Sequence, residues 1–411
     1  MPSSQPYTVA CNGGLVKSVN SIDLLKTPGL AKTLQNFEVA TEGGYRRING
    51  YTKYKIDGVT ASQPSGATDT ILGVFPYADG VVVCVSDDIY FSNDGANWLQ
   101  INKLSANSGD DHTTFTGKAV TARTNQGQCS FALFEGATFD YGELNIADGA
   151  NVVFSFRMEG TGNLNTRTFF TSEVQVDTTK SVKYVTVHDH HLIAAGVEDN
   201  LNTLYYSTKN TFSSFNNTQK IAISDQIVGI KGFREDLFIF CENSIHKLIN
   251  INDSNNIAIV PVAENVGCLS GYSIQEIGGD LMFLAPDGIR TVAGTARIGD
   301  VELGTVSKAI QPVIVSLARN IDNFTISSLV IREKSQYRLF YTNTGQPNAS
   351  QKGIIGTLRP NGFEWSETKG LEVTAINSNF DESGVEVYYH GDSNGYVYTH
   401  DIGNNFDGGN I

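Results

Sequence analysis

Ile71-Leu-Gly-Val-Phe-Pro-Tyr-Ala-Asp-Gly-Val-Val-Val-Cys-Val-Ser-Asp-Asp-Ile-Tyr-Phe91 reads as an apolar strand, a polar turn, a strongly apolar strand, a second turn and a third strand. Short β-branched and aromatic runs broken by Gly, Asn and Asp are the signature of strands joined by tight turns. The same pattern returns at Tyr184–Gly196 with Leu204–Ser207, at Val228–Leu248 and at Ile274–Val292. It returns again at Ser328–Tyr341, and at Thr374–Tyr389 with Gly395–Tyr398.

The spacing of these windows carries the argument further. Tyr184 to Val228 is 44 residues, Val228 to Ile274 is 46 and Ser328 to Thr374 is 46. Periods of about 40 to 50 residues with four strand slots are those of propeller blades. A lone four-stranded meander buries one face only by stacking on a neighbour, and a closed ring of blades covers every face. The 113 residues from Ile71 to Tyr184 leave room for one more, decorated blade, into which Cys129–Glu135 and Asn151–Glu159 fit. The reading is an all-β chain, a β-propeller of six or seven blades with a short N-terminal extension; six follows if 128–180 is an insertion.

The expected division is an arm over 1–58, a propeller over 69–403 with a decorated blade or insertion at 105–180, and a tail over 404–411. The arm should carry a short helix, Gly29–Asn36 after Pro28, and a hairpin, Phe37–Arg47, packing on the propeller or on a neighbouring chain. Residues 61–68 read as a linker and 105–114 as a polar loop. A second helix is expected within Ser307–Ala318, shortened or kinked by Pro312. An ending in turn residues, Gly403–Ile411, suits a shortened chain or a tail tied down by neighbours.

Lys and Arg number 29 against 43 Asp and Glu, a formal charge of −14. Gripping nucleic acid by neutralising phosphates needs a surplus of cations, so sequence-specific DNA binding is disfavoured. The five cysteines are scattered without a CxxC pair and read as reduced, mostly buried thiols. The first residues have neither a basic nor an apolar signal region, and no apolar run of about 18 residues occurs. A soluble protein made in a reducing cytoplasm is expected.

Candidate chemistry is sparse. His188-Asp189-His190-His191 is the most metal-like cluster, yet it falls in the first hairpin turn of its repeat, so a polar turn is expected. Glu135, Asp140, Glu143 and Asp148 could supply the paired carboxylates of a glycosidase, but their spacing reads as turns around strands. Neither GxSxG, GxxxxGK[ST] nor HExxH occurs, and no catalytic residue, metal ligand or cofactor is assigned. Tyr45-Arg46-Arg47 with Tyr51, Lys53, Tyr54 and Lys55 is the one basic, aromatic stretch; its cations should pair with the many acids.

Ser92-Asn-Asp-Gly-Ala-Asn-Trp98 resembles the Asp-box turn of sialidase-type propellers, one residue short between Asp94 and Trp98. Its role is structural: Asp94 caps its own turn, Gly95 permits positive φ, and Trp98 packs between blades. A wider resemblance runs through Gly13-Gly14-Leu15, Pro28-Gly29, Asn36-Phe37-Glu38-Val39 and Gly43-Gly44-Tyr45-Arg46-Arg47-Ile48-Asn49-Gly50-Tyr51. These first fifty residues are similar to the opening of tail nozzle, tail-hub and head-completion (packaged-DNA stabilisation) proteins of tailed bacteriophages.

That resemblance implies a virion structural protein of a phage tail or neck, not an enzyme. It would form a homo-oligomeric ring, commonly a hexamer, that lines or closes the DNA exit channel during DNA ejection. Its partners would be a tail adaptor or portal-side protein and tail fibres, with phage DNA passing unbound. An acidic surface facing such a channel would repel phosphate and lower adhesion. The alternatives are a carbohydrate- or receptor-binding propeller of a phage tail, and a sialidase-like glycoside hydrolase.

Overall fold

The computed structural model describes residues 11–410 apart from 25, 41–42, 104–113, 118–122, 137–138, 162–163, 165–166, 294–304, 344–350 and 408. Seven antiparallel meanders follow one another along the chain, each ordered from the axis outwards, and they close into a seven-bladed β-propeller. Blade 1 is Ile71–Tyr77, Gly80–Val85, Asp88–Ser92 and Leu99–Gln100. Blade 2 runs from Ser130–Phe134 through Glu143–Ala147 and Val153–Glu159 to Thr168–Val174, with Thr114–Gly117 added in parallel outside it. The region 128–180 is therefore a blade and not an insertion, which settles the count at seven. Most of the expected loop at 105–114 lies outside the described residues.

Blades 3 and 4 begin at Tyr184–His188 and Ile227–Phe233 and have four strands each. Among the described residues blade 5 has three, Gln275–Ile277, Asp280–Ala285 and Gly288–Thr291, with the helix Gln311–Arg319 against the last of them. Pro312 sits in the first turn of that helix, where a missing N–H costs nothing; it starts the helix instead of kinking it. Blade 6 is Phe324–Ile331, Gln336–Asn343, Lys352–Arg359 and Gly362–Lys369.

Residues facing neighbouring blades are apolar and form a chain of inter-blade cores. Between blades 1 and 2, Phe75, Tyr77 and Phe91 meet Phe154, Phe156 and Phe169. The Tyr77 hydroxyl donates to the Gly142 carbonyl at 2.8 Å and accepts from the Met158 N–H at 3.2 Å, so a buried phenol ties two blades. Near the axis the inner strands approach so closely that a Cβ on Gly73 would lie 2.6 Å from the Cβ of Cys129. Four of the five cysteines are buried and all are free thiols.

Blade 7 is closed by the opposite end of the chain. Its strands Ala375–Phe380, Glu386–Gly391 and Val397–His400 are joined by Tyr51–Lys53, which pairs with Val397–His400. Strands Asn405–Phe406 and Gly409–Asn410 then extend the same sheet. The expected lines at 58/69 and 403/404 are thus crossed, because both ends of the chain supply strands to the last blade.

The expected helix at Gly29–Asn36 does not form. Its backbone makes long-range bonds: Ala31 N–H donates to Gly14 O at 2.9 Å and Ala31 O accepts from Val16 N–H at 2.9 Å, and Asn36 N–H donates to Glu367 O at 2.8 Å. Eight residues are too few to hold a helix without packing, and the edge of blade 6 offers better partners. The only α-helical turn in this part of the described arm is Ser21–Leu24.

Candidate functional site: the N-terminal clasp

Of the residues that carry the phage-protein resemblance, Leu15 packs in the core of blades 5 and 6, while 36–39 and 43–51 gather at the seam between blades 6 and 7. Three short strands of the arm build it: β1 is Phe37–Val39, β2 is Tyr45–Arg47 and β3 is Tyr51–Lys53. Asn36 precedes β1 in the left-handed region, at φ 58°. Its side chain imitates a strand, with Oδ1 accepting from Lys369 N–H at 2.9 Å and Nδ2 donating to Lys369 O at 3.0 Å. The arm is thereby laid along the outer edge of blade 6. Phe37, the next residue, leaves its ring 39% exposed.

Glycines 43 and 44 turn the hairpin at φ 96° and 74°, values open to glycine without strain. β2 returns along β1, and the Tyr45 hydroxyl accepts the Gly14 N–H. Arg46 pairs with Glu38 at 2.8 Å, while Arg47 donates to the Asn404 carbonyl at 2.8 Å. At the next corner Gly50 N–H donates to Gly403 O at 3.0 Å and Gly50 O accepts from Ile402 N–H at 3.0 Å. A Cβ on Gly50 would lie 1.9 Å from the Asn405 carbonyl oxygen, so only glycine lets the two chain ends cross here. Tyr51 then stacks on Phe406 with centroids 5.0 Å apart and meets Tyr398 and His390 edge-on at 5.1 and 4.9 Å.

Beneath the hairpin lies a buried charge network. Glu38 is wholly buried and accepts from Arg46, from Lys334 at 3.1 Å, from Arg338 at 3.1 Å and from Gln336 at 3.1 Å. Arg338, itself buried in blade 6, also reaches Asp401 at 2.8 Å, and Lys334 reaches the same acid at 2.7 Å. Arg338 Nη1 lies 3.1 Å from His400 Nε2. Since a guanidinium can only donate, Nε2 accepts, the His400 proton sits on Nδ1, and that N–H points to His390 Nδ1 at 3.2 Å. Burial pushes the His390 imidazole down to about 3, and burial together with the neighbouring His390 and Arg338 holds His400 well below its ordinary value.

The Gly50 crossing yields a direct test. Gly50→Ala is expected to cost about 1–3 kcal/mol, since the methyl must push the backbone at Asn405 aside. The loss should show as a lower thermal midpoint and faster proteolytic clipping within 403–410.

The Asp-box-like turn lies on blade 1. Asp94 Oδ1 accepts from Ala96 N–H and Asn97 N–H, both at 2.8 Å, and Ser92 Oγ accepts from Gly95 N–H at 2.9 Å. Burial raises the Asp94 carboxyl, and the Asn97 and Ala96 donors more than offset it, holding it below the usual carboxylate range. Gly95 has φ 75°, and Trp98 packs between blades 1 and 7 while its Nε1 donates to Ser62 O at 3.2 Å. The tetrapeptide Asp94-Gly-Ala-Asn97 recurs as Asp148-Gly-Ala-Asn151 with the same bonds, Ala150 and Asn151 N–H to Asp148 Oδ1 at 2.8 Å each. Sequence reasoning passed over that second copy, although identity over four residues was there to find it.

The remaining candidates are dispersed. His188 pairs with His191 across a two-residue turn in which Asp189 and His190 have φ 47° and 64°. His191 is buried, with Nδ1 at 2.6 Å from the Ser207 carbonyl. Among the described residues no three His, Cys, Asp or Glu side chains are grouped to hold a metal. Glu143 is buried on Ser155, which donates at 2.5 Å, and burial pushes its carboxyl up. Asp148 pairs with buried Arg123 at 2.5 Å, Asp140 accepts the Gly160 N–H at 2.9 Å, and Glu135 lies on the surface. Lys53 pairs with Asp407 at 3.5 Å and covers the Tyr396 ring at 4.0 Å. Tyr54 is buried between blades 1 and 7 and Lys55 is exposed.

No protein-family model matches the chain, and no curated protein does. Several solved structures share its general shape at low identity. The computationally designed Ika8 protein is 11% identical with a TM-score of 0.41, covering 84% of this chain and 100% of that one. The extracellular domain of a hybrid two-component system from B. thetaiotaomicron is 10% identical with a TM-score of 0.46, over 85% of this chain and 39% of that one. The WD40 β-propeller domain of Doa1 is 11% identical with a TM-score of 0.44, over 86% and 97%. At such identities the likeness is one of fold alone.

Proposed function

We propose that this chain is a structural subunit of a bacteriophage tail or neck, a nozzle- or hub-like propeller that assembles into a ring around the path of the genome. One observation carries the reading. Among the residues by which the sequence resembles tail nozzle and head-completion proteins, Gly13 through Tyr51, those of the hairpin and its flanks are spent on locking the propeller shut. Glu38 is sealed in an ion network that the exposed Arg46 caps, Gly50 is at a backbone crossing and Tyr51 is in an aromatic stack. Such a stretch serves a part that must stay folded under load.

The geometry also limits how a conduit could be built. The axial cavity within one chain is about 300 Å³, the size of a small-molecule site and far too small for a duplex. Any passage for DNA therefore lies between chains, which requires a ring of them. A formal charge of −14 suits a wall that DNA slides past. Sedimentation of the purified protein at assembly-relevant concentration, with negative-stain images, tests the proposal. A discrete ring, six-fold by the resemblance, is expected; a strict monomer that labels no axial structure in virions overturns it.

A further inference from the structure

The axial channel has a feature that the assembly role does not use. All seven inner strands line it, and the lining carries a single formal charge, Lys231 on the first strand of blade 4. Lys231 has neither an ion pair nor a side-chain hydrogen bond among the described residues. The two charged groups nearest in effect do not neutralise it: Arg332 repels it and is paired with Glu386, and Glu276 attracts it from outside ion-pair distance. Burial pushes its ammonium down, with Arg332 adding to that and Glu276 opposing it. A half-buried, unpaired cation facing a water-accessible cavity is a natural contact for a visiting group of opposite charge.

The neighbouring groups suit such a visitor. Ser327 lines the same cavity, is 3% exposed, and its Oγ has no hydrogen-bond partner. Asn377, which lines the cavity, accepts the Ser378 N–H on its Oδ1 at 2.9 Å, and its amide nitrogen makes no hydrogen bond among the described residues. Thr186 and Ser378 line the same space. No carboxylate lines it.

We propose that the axial channel is a binding site for a small oxyanion, a phosphate or carboxylate group, held by Lys231 with the Ser327 hydroxyl and Asn377 amide as supporting donors. The cavity volume of about 300 Å³ admits the free ion or a small molecule that bears it. This inference does not rest on the ring, and a monomer would bind equally well.

Thermal unfolding with inorganic phosphate in one arm and citrate in another, each against chloride at matched ionic strength, is the test. At a hundredfold excess over Kd the binding anion should raise the midpoint by about 3 °C for a chain of this length. Lys231→Met, which keeps the apolar stem, should abolish the shift, and Lys231→Arg should retain it. A response to phosphate alone assigns the site to the free ion; a response to citrate alone assigns it to carboxylate-bearing molecules. Calorimetric titration of the unmodified protein gives the same answer without relying on a variant. No saturable response to either anion, or an equal response in Lys231→Met, overturns the proposal.

Discussion

Arg338→Ala is expected to destabilise the protein by about 3–5 kcal/mol, read as a fall in the urea midpoint at constant slope. Arg338 is buried in the second strand of blade 6 and makes contacts to two distant parts of the chain: Glu38 of the arm, and the adjacent pair His400 and Asp401 at the end of the last blade. Removing it leaves two buried carboxylates facing each other with Lys334 as their main shared cation. Breaking one side of a buried pair costs more than the pair itself contributes, because the remaining charge stays desolvated. Glu38→Ala should fall in the same range, and the double variant should cost clearly less than the sum, since each single change strands the other's partner. Lys26→Ala provides the contrast. Its pair with Asp23 is 3.0 Å long but largely exposed, and its loss should stay within about 0.5 kcal/mol. If Arg338→Ala were as mild as Lys26→Ala, the clasp would not be what holds the ring.

The blades were legible because each repeats the same short-range chemistry: alternating apolar residues, a turn with glycine or aspartate, and a second apolar run. Ile71–Phe91 and Val228–Leu248 state it almost without interruption, and local pattern alone places those strands. Ring closure was not legible, for a physical reason. β3 is three residues long, and its partner Val397–His400 lies more than 340 positions away, so no local window contains both. The failed helix at Gly29–Asn36 has the same origin, since its backbone bonds run to residues 14–16 and to blade 6. The charge network left a fainter trace. Arg338 stands in Gln-Tyr-Arg-Leu-Phe-Tyr341, a charge inside an apolar strand, which announces a buried partner without naming it. Lys231, within Val228-Gly-Ile-Lys-Gly-Phe233, announces an unmet charge in the same way.

Stability should fall steeply as pH drops from about 6.5 towards 4, at up to about 1.4 kcal/mol per pH unit for each of His390 and His400. Both are fully buried and neutral in the folded protein, with His390 pushed down to about 3 and His400 lowered well below its ordinary value. In the unfolded chain each takes a proton below about 6.5. Between those limits the unfolded state binds more protons than the folded one, so lowering the pH favours unfolding. His188, lowered by burial, adds in the same sense. Aspartates held low by hydrogen bonds, such as Asp94 and Asp225, lose their contribution only as pH falls below the ordinary carboxylate range, beneath this window. Glu143 and Glu372, raised by burial, carry the opposite sign: ionising them costs the folded state, so acid relieves that cost as they protonate. The imidazole pair dominates because two buried rings in contact share one seam: charging His400 places a cation beside Arg338, and charging His390 places one against His400. His390→Phe keeps a flat ring among Tyr51 and Tyr398 while removing one titrating group, and should roughly halve the slope between pH 6 and 4.5. Urea midpoints measured at half-unit steps would show it, and an acid limb unchanged by that substitution would place the sensitivity elsewhere than the clasp.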